Sequence, residues 1–132
     1  MNVQDCQKYE KFVLDIYRCT THWNYRQTFR HISLLTDRKG SVISFGVNGY
    51  KTHPLTKQLG YRNESIHSEL DAYLKVRHYD IKFNLINFRI NKQELFRNSK
   101  PCDCCLSWLL TSDRVLDIFY TTEKGFEKWN YD

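Results

Sequence analysis

The sequence predicts an α/β domain, a five-stranded mixed sheet with helices on both faces in a three-layer α/β/α arrangement. Three observations carry this. Segments of helical and strand period alternate along the chain in the order α-β-β-α-β-α-β. A composition of 41% apolar and 27% charged residues over 132 residues suits one globular domain, residues 1–132, with a core that needs no disulfides. The eleven residues after Thr121 are too few for a crossover helix and another strand, so a last strand has to return antiparallel.

Residues 5–19 set Tyr9, Phe12, Val13, Ile16 and Tyr17 on one helical face, with Cys6 and Cys19 as bystanders near its ends. Strands are expected at 31–36 and 41–47, joined by the hairpin turn Asp37-Arg38-Lys39-Gly40. Ile43, Phe45 and Val47 alternate with smaller residues, and Gly46 and Gly49 flank Asn48, where the chain bends or approaches something closely. Residues 49–64 form a loop of functional length. A second helix is expected at 65–78 on the face of Ile66, Leu70, Tyr73 and Leu74, and a third strand at 83–90. Ser99-Lys100-Pro101 opens a third helix running to about 110, with proline in the first turn where its missing N–H is not needed. The fourth strand covers 115–121, and a turn at Glu123-Lys124-Gly125 returns 126–131 beside it.

The net charge of +5 permits a phosphate-bearing partner without demanding one, because the basic residues form no block. No stretch approaches the roughly 20 apolar residues of a membrane span. The first residues, Met1 to Cys6, lack the basic and apolar regions of a signal peptide, so a cytoplasmic protein without membrane contact is expected. Five cysteines, three of them crowded behind Pro101, make a poor disulfide framework and favour metal binding or catalysis.

Two short segments hold the chemistry: His67-Ser68-Glu69 and Pro101-Cys102-Asp103-Cys104-Cys105. One imidazole and two thiolates, from His67, Cys102 and Cys105, make a three-ligand zinc site with its fourth position open to water. The spacing from Cys102 to Cys105 sets both sulfurs on one side of a helical first turn, whose positive end favours thiolates. A structural zinc would want a fourth protein ligand, and Cys104, His53 and His78 are poorly placed to be one. Glu69, two positions after His67, can stand beside the metal without ligating it and move a proton as the catalytic residue. Taken alone, Glu69 would be a first-turn acid favoured by the helix dipole.

These residues match the pattern H-x-E…P-C-x-x-C, and the sequence resembles the cytidine deaminase-like superfamily of zinc-dependent nucleoside and nucleotide deaminases. The resemblance implies a sheet of order 2-1-3-4-5, with the two motifs opening the second and third helices. It implies Zn2+ as cofactor and hydrolytic deamination as the reaction. The short antiparallel tail resembles the branch acting on a free cytosine nucleoside or nucleotide, where small chains form homo-oligomers. By resemblance Asn48 and Phe45, at the end of the second strand, and Ser99 and Lys100, before the second motif, are substrate contacts. Asn48 is equally at home in a turn. Ser68 stands where alanine or cysteine is usual, Lys100 where small or acidic residues are frequent, and Cys104 is an extra thiol that should point away from the metal.

Two alternatives stay open. A base within single-stranded DNA or RNA fits the basic charge, the loop residues Lys51, Thr52, His53, Lys57 and Arg62, and aromatic residues able to stack on a base, namely Trp23, Tyr25, Phe29, Tyr50 and Tyr61. Those loop residues also read as a solvated loop, and the aromatics as core or oligomer contacts. An inactive zinc-stabilised binding module would be expected to lack a proton carrier, yet Glu69 is present.

Overall fold

Asn2 begins the first element by accepting a hydrogen bond from the Asp5 N–H, and the Asp5 carboxylate returns one to the Asn2 N–H. This reciprocal cap starts a 3-10 segment, Val3–Tyr9, that runs directly into α1, Glu10–Thr20. The computed structural model describes residues 1–20, 29–49, 54–61 and 67–130. After α1 come β1 (Phe29–Thr36), β2 (Val42–Val47), α2 (Pro54–Gln58), α3 (Ser68–Leu74), β3 (Phe83–Asn91), β4 (Phe96–Arg97), α4 (Asp103–Thr111), β5 (Val115–Thr122) and β6 (Gly125–Lys128). No helix among the described residues is long and apolar enough to cross a membrane.

The strands form one mixed sheet. Its order is β2-β1-β3-β5-β6, and the two-residue β4 folds back on β3. β3 sits centrally, antiparallel to β1 and parallel to β5. Its first six residues are all buried, as expected for a strand covered on both faces. The hairpin between β1 and β2 closes where the Asp37 carboxylate accepts from the N–H groups of Lys39 and Ser41 and Gly40 takes φ 90°. β6 returns antiparallel to β5 through Gly125, at φ 133°.

Side chains alternate across a strand, so this sheet carries two cores. Ile32, Leu34, Ile86, Phe88, Ile90 and Phe119 pack with Val13 and Ile16 of α1. Leu35, Phe83, Leu85 and Ile118 pack with Ala72 of α3 and with Cys105, Leu106 and Leu109 of α4. The second core places the functional residues, because α3 and α4 begin beside each other above it.

α3 is drawn onto the edge strand β2. The Val47 N–H donates to Asp71 Oδ2 at 3.0 Å, and the Ser44 hydroxyl donates to the Ala72 carbonyl at 2.9 Å. Gly46 makes this approach possible. A Cβ there would lie 2.2 Å from the Ser68 oxygen and 2.4 Å from the Ala72 nitrogen.

Several boundaries differ from expectation. The first helix is a 3-10 segment followed by α-helix, because the Asn2 cap starts the turn earlier. α3 stops at Leu74 and continues only as turns, rather than reaching 78. Pro101 precedes the helix instead of occupying its first turn: Cys102 is the N-cap, extended at φ −67° and ψ 165°. A residue before proline is pushed out of helical geometry, and Lys100 lies outside the helix. α2 falls within the expected loop 49–64, and β4 in a stretch where no element is expected, each being too short to carry a period. Trp23, Tyr25, Tyr50, Lys51, Thr52, His53, Arg62, Ile66, Tyr131 and the side chains of Phe29 and Lys57 lie outside the described residues.

Candidate metal centre

Two helix starts converge. His67 is the N-cap of α3, extended at φ −80° and ψ 153°, and its ring makes no capping bond. Cys102 is the N-cap of α4, and its sulfur accepts from the Cys105 N–H at 3.4 Å. An N-cap side chain is held near the helix axis, so each start delivers its ligand to the gap between the two helices.

The ligand atoms meet there. His67 Nδ1 lies 3.6 Å from Cys102 Sγ and 3.6 Å from Cys105 Sγ. All three ligand atoms fall within 4.8 Å of one another. A tetrahedral ion with Zn–S near 2.3 Å and Zn–N near 2.05 Å sets nitrogen and sulfur about 3.6 Å apart. The donor set therefore fits zinc in both chemistry and spacing. No further His, Cys, Asp or Glu among the described residues joins the group. Cys105 is buried, His67 is half-buried and Cys102 is exposed, so the cluster opens to solvent on the Cys102 side. Cys104 turns away, its thiol donating to the Leu59 carbonyl at 3.1 Å.

The protonation of this cluster is shared. The neighbouring Cys105 thiol, then His67, bring Cys102 down to about 3. The hydrogen bond with Cys102, then burial, pushes Cys105 well above the usual thiol range. Hydrogen bonding to Cys102 raises His67 against the opposing effect of its burial. A divalent cation would hold both sulfurs as thiolates and release their protons.

Glu69 is buried immediately behind the cluster, with both oxygens held. Its Oε1 accepts from the Ser68 hydroxyl at 3.1 Å and its Oε2 from Asn87 Nδ2 at 3.1 Å. Asn87 Nδ2 also donates to the Ser99 carbonyl at 3.2 Å, while its Oδ1 accepts from the Ser33 hydroxyl at 2.6 Å. The Ser33 and Ser68 hydroxyl oxygens lie 2.7 Å apart, within the same network. Three elements, β1, β3 and α3, therefore fix one carboxylate.

The other site residues expected from sequence are scattered. Asn48 accepts from the His31 N–H through Oδ1 at 2.9 Å, which ties the end of β2 to β1 and leaves its Nδ2 as the donor a ligand could use. Phe45 is not brought to the cluster. It lies on the α1 face, its ring edge-on to Phe12 at 6.2 Å and under the Lys75 ammonium at 4.6 Å. Alternation explains this: Ser44 and Gly46 face α3, so Phe45 faces the other way. Ser99 is buried, and its hydroxyl bonds to the Asn87 carbonyl and to Thr121, which makes it part of the scaffold. Lys100 is exposed, with its ammonium 4.8 Å from the centre of the Trp129 ring.

Sequence reasoning missed the place of four residues. Asn87 and Ser33 lie within ordinary strand patterns. His31 stands beside Arg89, His67 and Cys102, and burial, then Arg89, lowers it to about 4. Tyr61, noted only as an aromatic in a loop, touches the cluster directly: its hydroxyl is 2.7 Å from Cys105 Sγ and its ring meets His67 edge-on at 4.6 Å. None of these four carries a local pattern that would mark it as part of the site. Neither a protein-family model nor a curated protein sequence matches this chain.

Proposed function

We propose that this chain is a zinc-dependent hydrolytic deaminase of a free cytosine nucleoside or nucleotide, built as a three-layer α/β/α domain of the cytidine deaminase type. The observation that carries the reading is the pairing of a His67–Cys102–Cys105 cluster at zinc spacing with a buried Glu69 two residues from the imidazole ligand. A strand order that reads 2-1-3-4-5 once the short β4 is set aside supports it, as does the antiparallel last strand.

Zinc, when bound, supplies a water of lowered pKa as nucleophile near neutral pH. His67, Cys102 and Cys105 would hold it. Glu69 would carry one proton of the attacking water to the ring nitrogen and the other, from the newly added hydroxyl, to the departing amine. Water adds, ammonia leaves, and cytosine becomes uracil, so the reaction balances without a redox partner. The bonds from Ser68 and Asn87 aim the carboxylate so that little reorganisation accompanies the transfer. The Nδ2 of Asn48 is the group offered to the sugar or base. Phe45 and the Ser99 hydroxyl have no part in this reading.

The test is ammonia release from cytidine, deoxycytidine, deoxycytidylate, adenosine, guanine and single-stranded oligonucleotides. Turnover of a free cytosine compound is expected. Turnover of oligonucleotides alone would replace the substrate, and no turnover by zinc-loaded protein would remove the reaction.

A further inference from the structure

Tyr61 follows α2 and belongs to neither motif, yet it touches two of the three ligands. Its partners fix the direction of its hydroxyl hydrogen. Trp108 Nε1 lies 2.8 Å from the Tyr61 oxygen. An indole N–H can only donate, so the tyrosine oxygen accepts there. A phenol has one hydrogen, and the remaining partner is Cys105 Sγ at 2.7 Å. A Cys105 thiolate holding a metal would have no hydrogen to give, so in that state Tyr61 donates to the sulfur. Cys105 and Trp108 are three residues apart on α4 and share a face, so the indole and the thiol rise from one helix and Tyr61 bridges them. The Trp108 ring is itself braced by Tyr73 of α3 at 5.4 Å.

We infer that Tyr61 is a positioning residue of the metal site, one that withdraws electron density from the Cys105 sulfur and steers the His67 ring, with Trp108 orienting its hydroxyl. The inference rests on the zinc reading above, though not on the substrate. A donor on a thiolate lowers the sulfur's donation to the metal and leaves the ion a stronger Lewis acid. The aromatic edge against His67 limits rotation of the imidazole, so Nδ1 stays turned toward both sulfurs. Both effects work through the ligands, and Tyr61 itself touches no reacting atom.

The experiment uses the full chain loaded with Co(II), whose sulfur-to-metal charge-transfer band reports the thiolate directly. Tyr61→Phe keeps the ring and removes the hydroxyl. Its band is expected at longer wavelength than that of the unsubstituted protein, because the sulfur regains the electron density that the hydroxyl withdrew. Trp108→Phe keeps the tyrosine and removes its orienting donor, so a smaller shift in the same direction is expected. The band is read only on protein that has bound cobalt, and Trp108→Phe stands in should Tyr61→Phe not fold. Unshifted bands in the variants that bind cobalt would overturn the inference. Failure of the unsubstituted chain to bind cobalt would overturn it together with the metal site. Shifted bands in a protein that deaminates no cytosine compound would leave Tyr61 its role and refute the proposed reaction.

Discussion

Asn87 Nδ2 donates to Glu69 Oε2 across 3.1 Å. Its direction is settled by the second bond of the same nitrogen, to the Ser99 carbonyl, which can only accept. The central strand thus presents a fixed donor to the proposed proton carrier.

Asn87→Ala removes that donor and leaves the Ser33 hydroxyl and the Ser99 carbonyl short of a buried partner. A loss of about 1–3 kcal/mol of stability is expected in urea denaturation. Turnover is expected to fall about a hundredfold while zinc content is unchanged, since misplacing one reacting group is costly. Turnover at the unsubstituted level would show that Glu69 is held by something else.

Glu69→Gln preserves shape and keeps an acceptor for Asn87, but it cannot carry the proton. Deamination is expected to drop about 10²- to 10⁴-fold, and elemental analysis is expected to find zinc still bound. Near-normal ammonia release would remove Glu69 from its role.

Gly46→Ala forces a methyl group against the Ser68 oxygen and the Ala72 nitrogen. Both are helix backbone and cannot rotate aside, so α3 has to move. A cost of at least about 1–3 kcal/mol is expected. Because His67 begins that helix, zinc titration is also expected to show weakened binding. Unchanged stability and affinity would mean the helix is not seated on β2 as described.

His31 is held below its usual range by burial first and Arg89 second, to about 4. A histidine depressed in the folded state contributes stability that is present above its unfolded value near 6.5 and is lost as pH falls toward 4. Chemical denaturation of the unsubstituted protein and His31→Gln at a series of pH values is expected to show their stability difference shifting against the unsubstituted protein across that window. A difference independent of pH would contradict the burial of a neutral imidazole.

Much of the candidate site was legible because its residues come in local pairs. His67 with Glu69, and Cys102 with Cys105, are separated by spacings that a helix start turns into geometry. The metal-facing groups supplied by tertiary contact were not legible. Asn87 looks like any polar residue in the buried run of β3, and Tyr61 like any loop aromatic; each acquires its role only when α3, α4 and the sheet close together. Phe45 shows the opposite failure. The alternation of Ile43, Phe45 and Val47 predicts one shared face, yet Phe45 and Val47 lie on the α1 side while Ile43, beyond an irregularity in the β1–β2 register, packs on the α3–α4 side, and nothing in the pattern says that α3 would settle over Gly46. The strands were readable from alternation at β1, β2, β3 and β5, whereas β4 has two residues and no period to read.

The central claim is that His67, Cys102 and Cys105 hold one zinc ion. Elemental analysis of the purified chain tests it most directly, with Cys102→Ser and Cys105→Ser beside it. One zinc per unsubstituted chain, and its loss in both variants, is the result expected. A natively folded chain without zinc, or variants that keep the full complement, would contradict it.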